Sequence, residues 1–202
     1  MRTPNVKRIF ERLETMTIGY GGLKKGMPIE LDGEPYVVVD YERSKKEQRA
    51  PVARIRFKSL RNGKVLDKSF NGFDVKFTPA EIERREAQFL YGDGEQFYFM
   101  DEVNYEQYML SATLIEFAMP FLIDQLKVDL IFYKDDVISI ELPNTVDLVV
   151  SESEPGYKGD TAQGATKNAI LETGLNVQVP LFIDIGDKIK VDTRTKEYLS
   201  RV

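Results

Sequence analysis

Apolar residues recur along this chain at two spacings. Val6, Ile9, Phe10, Leu13 and Met16 fall on one side of a 3.6-residue repeat, which predicts a short amphipathic helix within the first nineteen residues. From Leu23 onward the spacing changes to short apolar or alternating runs, the signature of strands. These are Met27–Leu31, Tyr36–Val39, Val52–Phe57, Phe97–Met100, Val128–Phe132, Val137–Ile140, Val146–Val150, Leu175–Val179 and Lys188–Val191. Turn chemistry separates them at Asp32-Gly33, Asn62-Gly63, Gly92-Asp93-Gly94 and Lys134-Asp135-Asp136. The stretch "AEIERREAQFL", residues 80–90, is rich in helix formers yet runs straight into "YGDGEQFYFM", so its second half reads as strand. A short helix is expected around Ser111 to Phe117, ended by Pro120. Many short strands with frequent turns predict an all-β chain of small antiparallel barrels.

One hairpin departs from the rest. In Ala53–Lys58, Ile55 and Phe57 point to one face while Arg54, Arg56 and Lys58 point to the other. Between this strand and Tyr36–Val39, residues 43–51 are too polar for a core and too long for a two-residue turn. The pair therefore extends as an arm with residues 46–50 near its tip, reaching about 15 Å at the rise of an extended strand. Residues 43–58 carry seven Lys or Arg against one Glu, in a chain that holds 28 basic and 33 acidic residues overall. Residues 42–68 hold ten basic and three acidic residues, leaving 18 basic and 30 acidic elsewhere. Such segregation suits a protein that offers one face to a polyanion, although an unevenly charged solvated surface has the same composition.

Composition narrows the chemistry. With no cysteine and no histidine, the chain has no disulfide framework, no thiolate nucleophile and no imidazole base or ligand. No cofactor and no metal is expected, and a cytoplasmic setting follows by default. No apolar run approaches the length of a membrane span, since the candidate near Phe117–Ile123 is short and broken by Pro120. Glu11 and Glu14 and the lack of an apolar targeting core make the first residues an extension rather than a signal peptide. P-loop, Gly-x-Ser-x-Gly and Gly-x-Gly-x-x-Gly motifs are missing, so nucleotide hydrolysis, serine-type hydrolysis and dinucleotide chemistry lack support. The Asp and Glu residues sit in turns and beside strand ends, as solubilising surface does. A different class stays open: a module gripping single-stranded RNA through Phe97, Tyr98 and Phe99.

Five stretches carry a resemblance that covers the chain from about Leu23 to its last residue: "LKKGMPIELDGEPYVVVDYE", "FKSLRNGKVLDKSF", "ERREAQFLYGDGEQFYFMD", "ELPNTVDLVVSESEPGYKGDTA" and "KNAILETGLNVQVPLFIDIGDKIKVDTRTKEYLSRV". The most specific piece is K-x-A-x4-G-x2-[LIV]-x-V-P-x2-[LIV]-x2-G, met by Lys167, Ala169, Gly174, Val177, Val179, Pro180, Ile183 and Gly186. The chain thus resembles bacterial translation elongation factor P. That resemblance implies an L-shaped protein of three barrels: a KOW/SH3-like barrel over residues 20–80 and OB-folds over 81–143 and 144–202, preceded by an extension over 1–19. It also implies a non-enzymatic monomer that binds the ribosome between the peptidyl-tRNA and exit sites. There it would restart peptide-bond formation stalled at consecutive prolines, meeting peptidyl-tRNA and ribosomal RNA and no membrane.

In the resembling proteins the first-barrel arm reaches the acceptor end of peptidyl-tRNA and ends in a Lys or Arg that is often extended by modification. Counting from Val39 at the end of "GEPYVVV", or back from "FKSLRNG", places Gln48 at that tip, with Arg49 where a Gly usually follows. A slip of one residue puts Arg49 there instead. With no Lys at this place, the resemblance does not carry over the enzyme that modifies it. Lys45, Lys46, Arg54, Arg56 and Lys58 correspond to the RNA-binding arm. Gly159, Asp160 and Thr161 match a third-barrel loop facing the exit-site codon region, and Tyr198 and Arg201 match an end that approaches the small subunit, near the cations Lys188, Lys190, Arg194 and Lys196.

Overall fold

A computed structural model describes residues 17–44, 52–72, 74–154 and 165–202. The predicted N-terminal helix lies outside the described residues. So do the arm tip and the loop around Gly159.

The first sheet contains β1 (Ile18–Gly19), β2 (Pro28–Leu31), β3 (Glu34–Ser44), β4 (Val52–Ser59), β5 (Val65–Asn71) and β6 (Lys76–Pro79), in the order β1-β6-β2-β3-β4-β5. Its hairpins are set by local chemistry. Asp32 and Gly33 both adopt positive φ, 54° and 84°, the pair of angles a two-residue turn between twisted strands requires. Tyr20, Leu23, Ile29, Val38, Ala53, Ile55, Phe57 and Phe77 form the core inside this sheet. Phe77 meets both Phe57 and Phe70 through ring contacts at 6.2 and 5.5 Å.

The second sheet comprises β7 (Ile82–Gly92), β8 (Gln96–Asp101), β9 (Gln107–Ser111), β10 (Lys127–Tyr133) and β11 (Asp136–Glu141), ordered β11-β10-β7-β8-β9. The helix formers of residues 80–90 do not prevail: the strand begins at Ile82, because pairing on both sides outweighs intrinsic propensity. The helix expected over Ser111–Phe117 shrinks to α1 (Ala112–Ile115), a single turn that buries Ile115, and a 3-10 turn over Met119–Phe121 takes in Pro120.

The third sheet holds β12 (Thr145–Ser153), β13 (Thr166–Leu171), β14 (Asn176–Pro180), β15 (Lys188–Asp192) and β16 (Tyr198–Arg201), ordered β14-β13-β12-β15-β16. β12 is shared: Thr145–Val149 pair with β15, and beyond the bulge after Val150 its end pairs with β13. Sharing one bent strand between two partners curls the sheet around a core that includes Leu148, Val150, Leu171, Val179, Ile183 and Ile189. The strands pair antiparallel among the described residues, and the chain is all-β with curled sheets, as the pattern predicted.

The described residues fall into two compact units. One holds residues up to Glu83 together with Phe132–Ser139, and the other holds Arg84–Ile131 and Ile140–Val202. Within the first, the β10–β11 turn is fastened to β2, because the Glu30 carboxylate accepts hydrogen bonds from Tyr133 Oη and, at 3.0 Å, from Lys134 Nζ. These contacts hold the Glu30 carboxyl below the usual carboxylate range.

Candidate nucleic-acid interface

The predicted arm is built on three strands rather than two. β3 and β4 pair from Tyr36↔Ser59 outward to Ser44↔Val52, and β5 flanks β4 along its length, from Val52↔Asn71 to Lys58↔Val65. β4 is thus a central strand held by hydrogen bonds on both sides. Its alternation is strict: Ala53, Ile55 and Phe57 are buried, while Arg54, Arg56 and Lys58 are exposed. The spacing of apolar and basic residues fixed this division, since a slip of one position would put three cations into the core.

Carboxylates on the flanking strands then sort the cations. In one cross-strand row Asp40, Arg56 and Asp67 lie side by side, and in the next Glu42, Arg54 and Ser69. Arg56 donates from Nε to Asp67 Oδ1 at 2.9 Å and from Nη2 to Asp67 Oδ2 at 3.4 Å, a two-point grip that raises the Arg56 pKa. Asp40 is taken by Lys25 Nζ at 2.7 Å and by the backbone N–H of Tyr41, which together lower its pKa. Arg61 and Lys68 are matched to Glu34 and Asp32. Such exposed pairs, screened by water, add little to the stability of the fold. Their larger effect is on availability: among the described residues, Arg54, Lys58 and Lys64 have no ion pair, whereas Arg56 shares the predicted face but is already committed to Asp67. Sequence reasoning missed Asp40 and Asp67 as partners. The signal was present in "VLDKSF", whose alternation places Asp67 on the outer face once β5 is recognised as a strand.

The remaining predicted positions divide by place. Lys45, Lys46, Gln48 and Arg49 at the arm tip, and Gly159, Asp160 and Thr161 in the third sheet's loop, lie outside the described residues. Tyr198 is half-buried and packs against the third core, opposite Val191. Arg201 is exposed and bonded to Asp187 at 3.0 Å. Lys190 pairs with Asp147 and Arg194 with Asp192, so in that cluster only Lys188 and Lys196 are without an ion pair among the described residues. Phe97 and Phe99 are core residues at 8% and 0% exposure, leaving Tyr98, stacked on Tyr91 at 4.6 Å, as the outward ring of the three.

Comparison with known proteins agrees with this architecture along the chain. Residues 21–75 match the family described as Elongation factor P (EF-P) KOW-like domain, residues 82–140 the Elongation factor P (EF-P) OB domain, and residues 146–201 Elongation factor P, C-terminal. Elongation factor P of Thermoanaerobacter sp. is 46% identical over 92% of this chain and 100% of its own length. That of Clostridioides difficile is 45% identical over the same shares, and that of Thermotoga petrophila 47% identical over 91% of this chain and 99% of its own. Identity of this order across all three sheets places the chain in the elongation factor P family of translation factors.

Proposed function

We propose that this chain binds the ribosome between the peptidyl-tRNA and exit sites and stimulates peptide-bond formation at stalled runs of proline. It does so by laying the outer face of its first-barrel arm along peptidyl-tRNA and ribosomal RNA. The ribosome supplies the chemistry, and the factor supplies position. The observation that carries this reading is β4: a strand pinned from both sides, with Arg54 and Lys58 exposed and unpaired among the described residues on its outer face. Rigid backbone with unneutralised cations is what contact with phosphates requires.

On this reading Lys45 and Lys46 continue the track toward the acceptor end, where Gln48, or Arg49 one place on, meets the CCA terminus without a modifying enzyme. Gly159, Asp160 and Thr161 face the exit-site codon, and Tyr198 and Arg201 face the small subunit. The barrels divide near residues 80 and 143, and the protein works in the cytoplasm as a monomer. An OB-fold that grips free single-stranded RNA through Phe97, Tyr98 and Phe99 is disfavoured, because Phe97 and Phe99 are buried and only Tyr98 faces outward.

Equilibrium binding separates the two. The wild-type chain is expected to bind ribosomes carrying peptidyl-tRNA far more tightly than free RNA oligomers. Arg54→Ala should weaken the ribosome complex and reduce the slope of log affinity against log salt by about one phosphate contact. Equal affinity for ribosomes and oligomers would sink the proposal.

A further inference from the structure

A cleft of about 380 Å³ lies on the outer side of β3, β4 and β5, next to the bulge between Val38 and Asp40. Two cross-strand rows line the cleft and differ in one respect. The Asp40–Arg56–Asp67 row is closed on itself by the Lys25–Asp40 and Arg56–Asp67 contacts. The Glu42–Arg54–Ser69 row has no ion pair and no side-chain hydrogen bond among the described residues, although Glu42 and Arg54 are direct strand partners. A carboxylate, a guanidinium and a hydroxyl thus stand open in line, spaced by the ~5 Å of neighbouring strands.

The charge of these six residues decides what such a row can take. With Lys25 holding Asp40 and Arg56 holding Asp67, the groups left open are one guanidinium, Arg54, and one carboxylate, Glu42, so the open row is neutral overall rather than a site for an anion alone. A neutral, planar group with donors on one edge and acceptors on the next is well served. Guanine alone among the bases offers two adjacent donors, N1–H and N2–H₂, to match the two oxygens of Glu42. Next to them it offers two adjacent acceptors, O6 and N7, to match the guanidinium fork of Arg54. Ser69 is left for a ribose hydroxyl or phosphate oxygen. The Arg56 guanidinium, held at two points by Asp67, supplies a planar wall of the kind on which bases stack. The geometry points to a site for one unpaired guanine of an RNA on the outer face of the first barrel, formed by Glu42, Arg54 and Ser69 and walled by Arg56. This site shares Arg54 with the phosphate-facing side of β4 and lies apart from the arm tip.

The test is a titration of the isotopically labelled full-length chain by nuclear magnetic resonance, following the Arg54 Nε–H and Ser69 amide signals. GMP is expected to shift both in a saturable way. IMP, which lacks the N2 amine, should bind about tenfold more weakly, the worth of one charge-assisted hydrogen bond. 7-deaza-GMP should lose a similar factor through Arg54. Glu42→Gln should erase the preference for GMP over IMP while leaving the melting temperature unchanged. A stem-loop with one bulged guanine should outcompete the same stem with a bulged adenine, which separates an RNA-borne guanine from a free nucleotide. Three results overturn the inference: inorganic phosphate reproducing the shifts, GMP and IMP binding equally, or no response to millimolar GMP. No ribosome enters these measurements, so their outcome is independent of the function proposed above.

Discussion

At the scale of single residues, the described turns are held largely by side-chain carboxylates. Asp192 shows how. Its Oδ1 accepts from the backbone N–H of Arg194 at 2.8 Å and of Thr195 at 3.2 Å, and its Oδ2 accepts from Arg194 Nη2 at 3.1 Å. These contacts let Lys196 take φ of 62° and bring β16 back onto β15. Asp101 builds the same turn between β8 and β9, accepting from Val103 and Asn104 while Tyr105 takes φ of 62°. The Arg194 guanidinium and the two backbone N–H groups hold the Asp192 carboxyl down at about 2, against an ordinary 3.8. A folded-state pKa below the unfolded one contributes stability at pH above the unfolded value, and that contribution fades as pH falls through the folded one. Asp192→Ala is therefore expected to melt a few degrees below wild type at pH 6 to 7, with the gap closing as pH falls from 4 toward 2. A gap that stayed constant over that window would show that the charge on Asp192 plays no part.

The strands show how far the pattern of apolar positions reaches. At the end of β7, Gly92 faces Phe97 across the ladder, and a Cβ built there would sit 2.7 Å from the Phe97 ring. Phe97 is buried and packs on Phe89, so it has little room to retreat. Gly92→Ala should cost about 1–3 kcal/mol in urea denaturation, as overpacking does. A change within measurement error would mean the ring moves freely. The strands that were legible from sequence, such as β4 and β12, alternate cleanly because one face is core and the other water. Several of those that were missed break the alternation for identifiable reasons. In β5 the inward-leaning positions are Leu66, Lys68 and Phe70, and the lysine hides the repeat. In β13 a core position is filled by Lys167, which is 6% exposed and reaches Asp184 at 3.5 Å. The start of β7, Ile82–Glu86, exposes most of its residues and owes its extension to pairing, which no local pattern encodes.

Over the whole molecule, charge is spread unevenly among the parts. Residues 84–141 hold twelve acidic and four basic residues, whereas the first sheet carries Arg54, Lys58 and Lys64 with no ion pair among the described residues. The arm face was legible because apolar and basic residues alternate in β4. The neutralisation of Arg56 was not, because it depends on which strand lies beside β4. Family membership fixes the class of factor, and the proposed mechanism rests on the arm working with Gln48 at its tip and no added group. The direct test is synthesis of a reporter containing consecutive prolines in a factor-depleted translation system, supplied with unmodified recombinant wild type or Gln48→Ala. The wild type is expected to relieve the stall, the variant to leave it at the level of the depleted system, and a reporter without prolines to respond to neither. No relief by the wild type would contradict the account, and equal relief by both proteins would remove Gln48 from the tip.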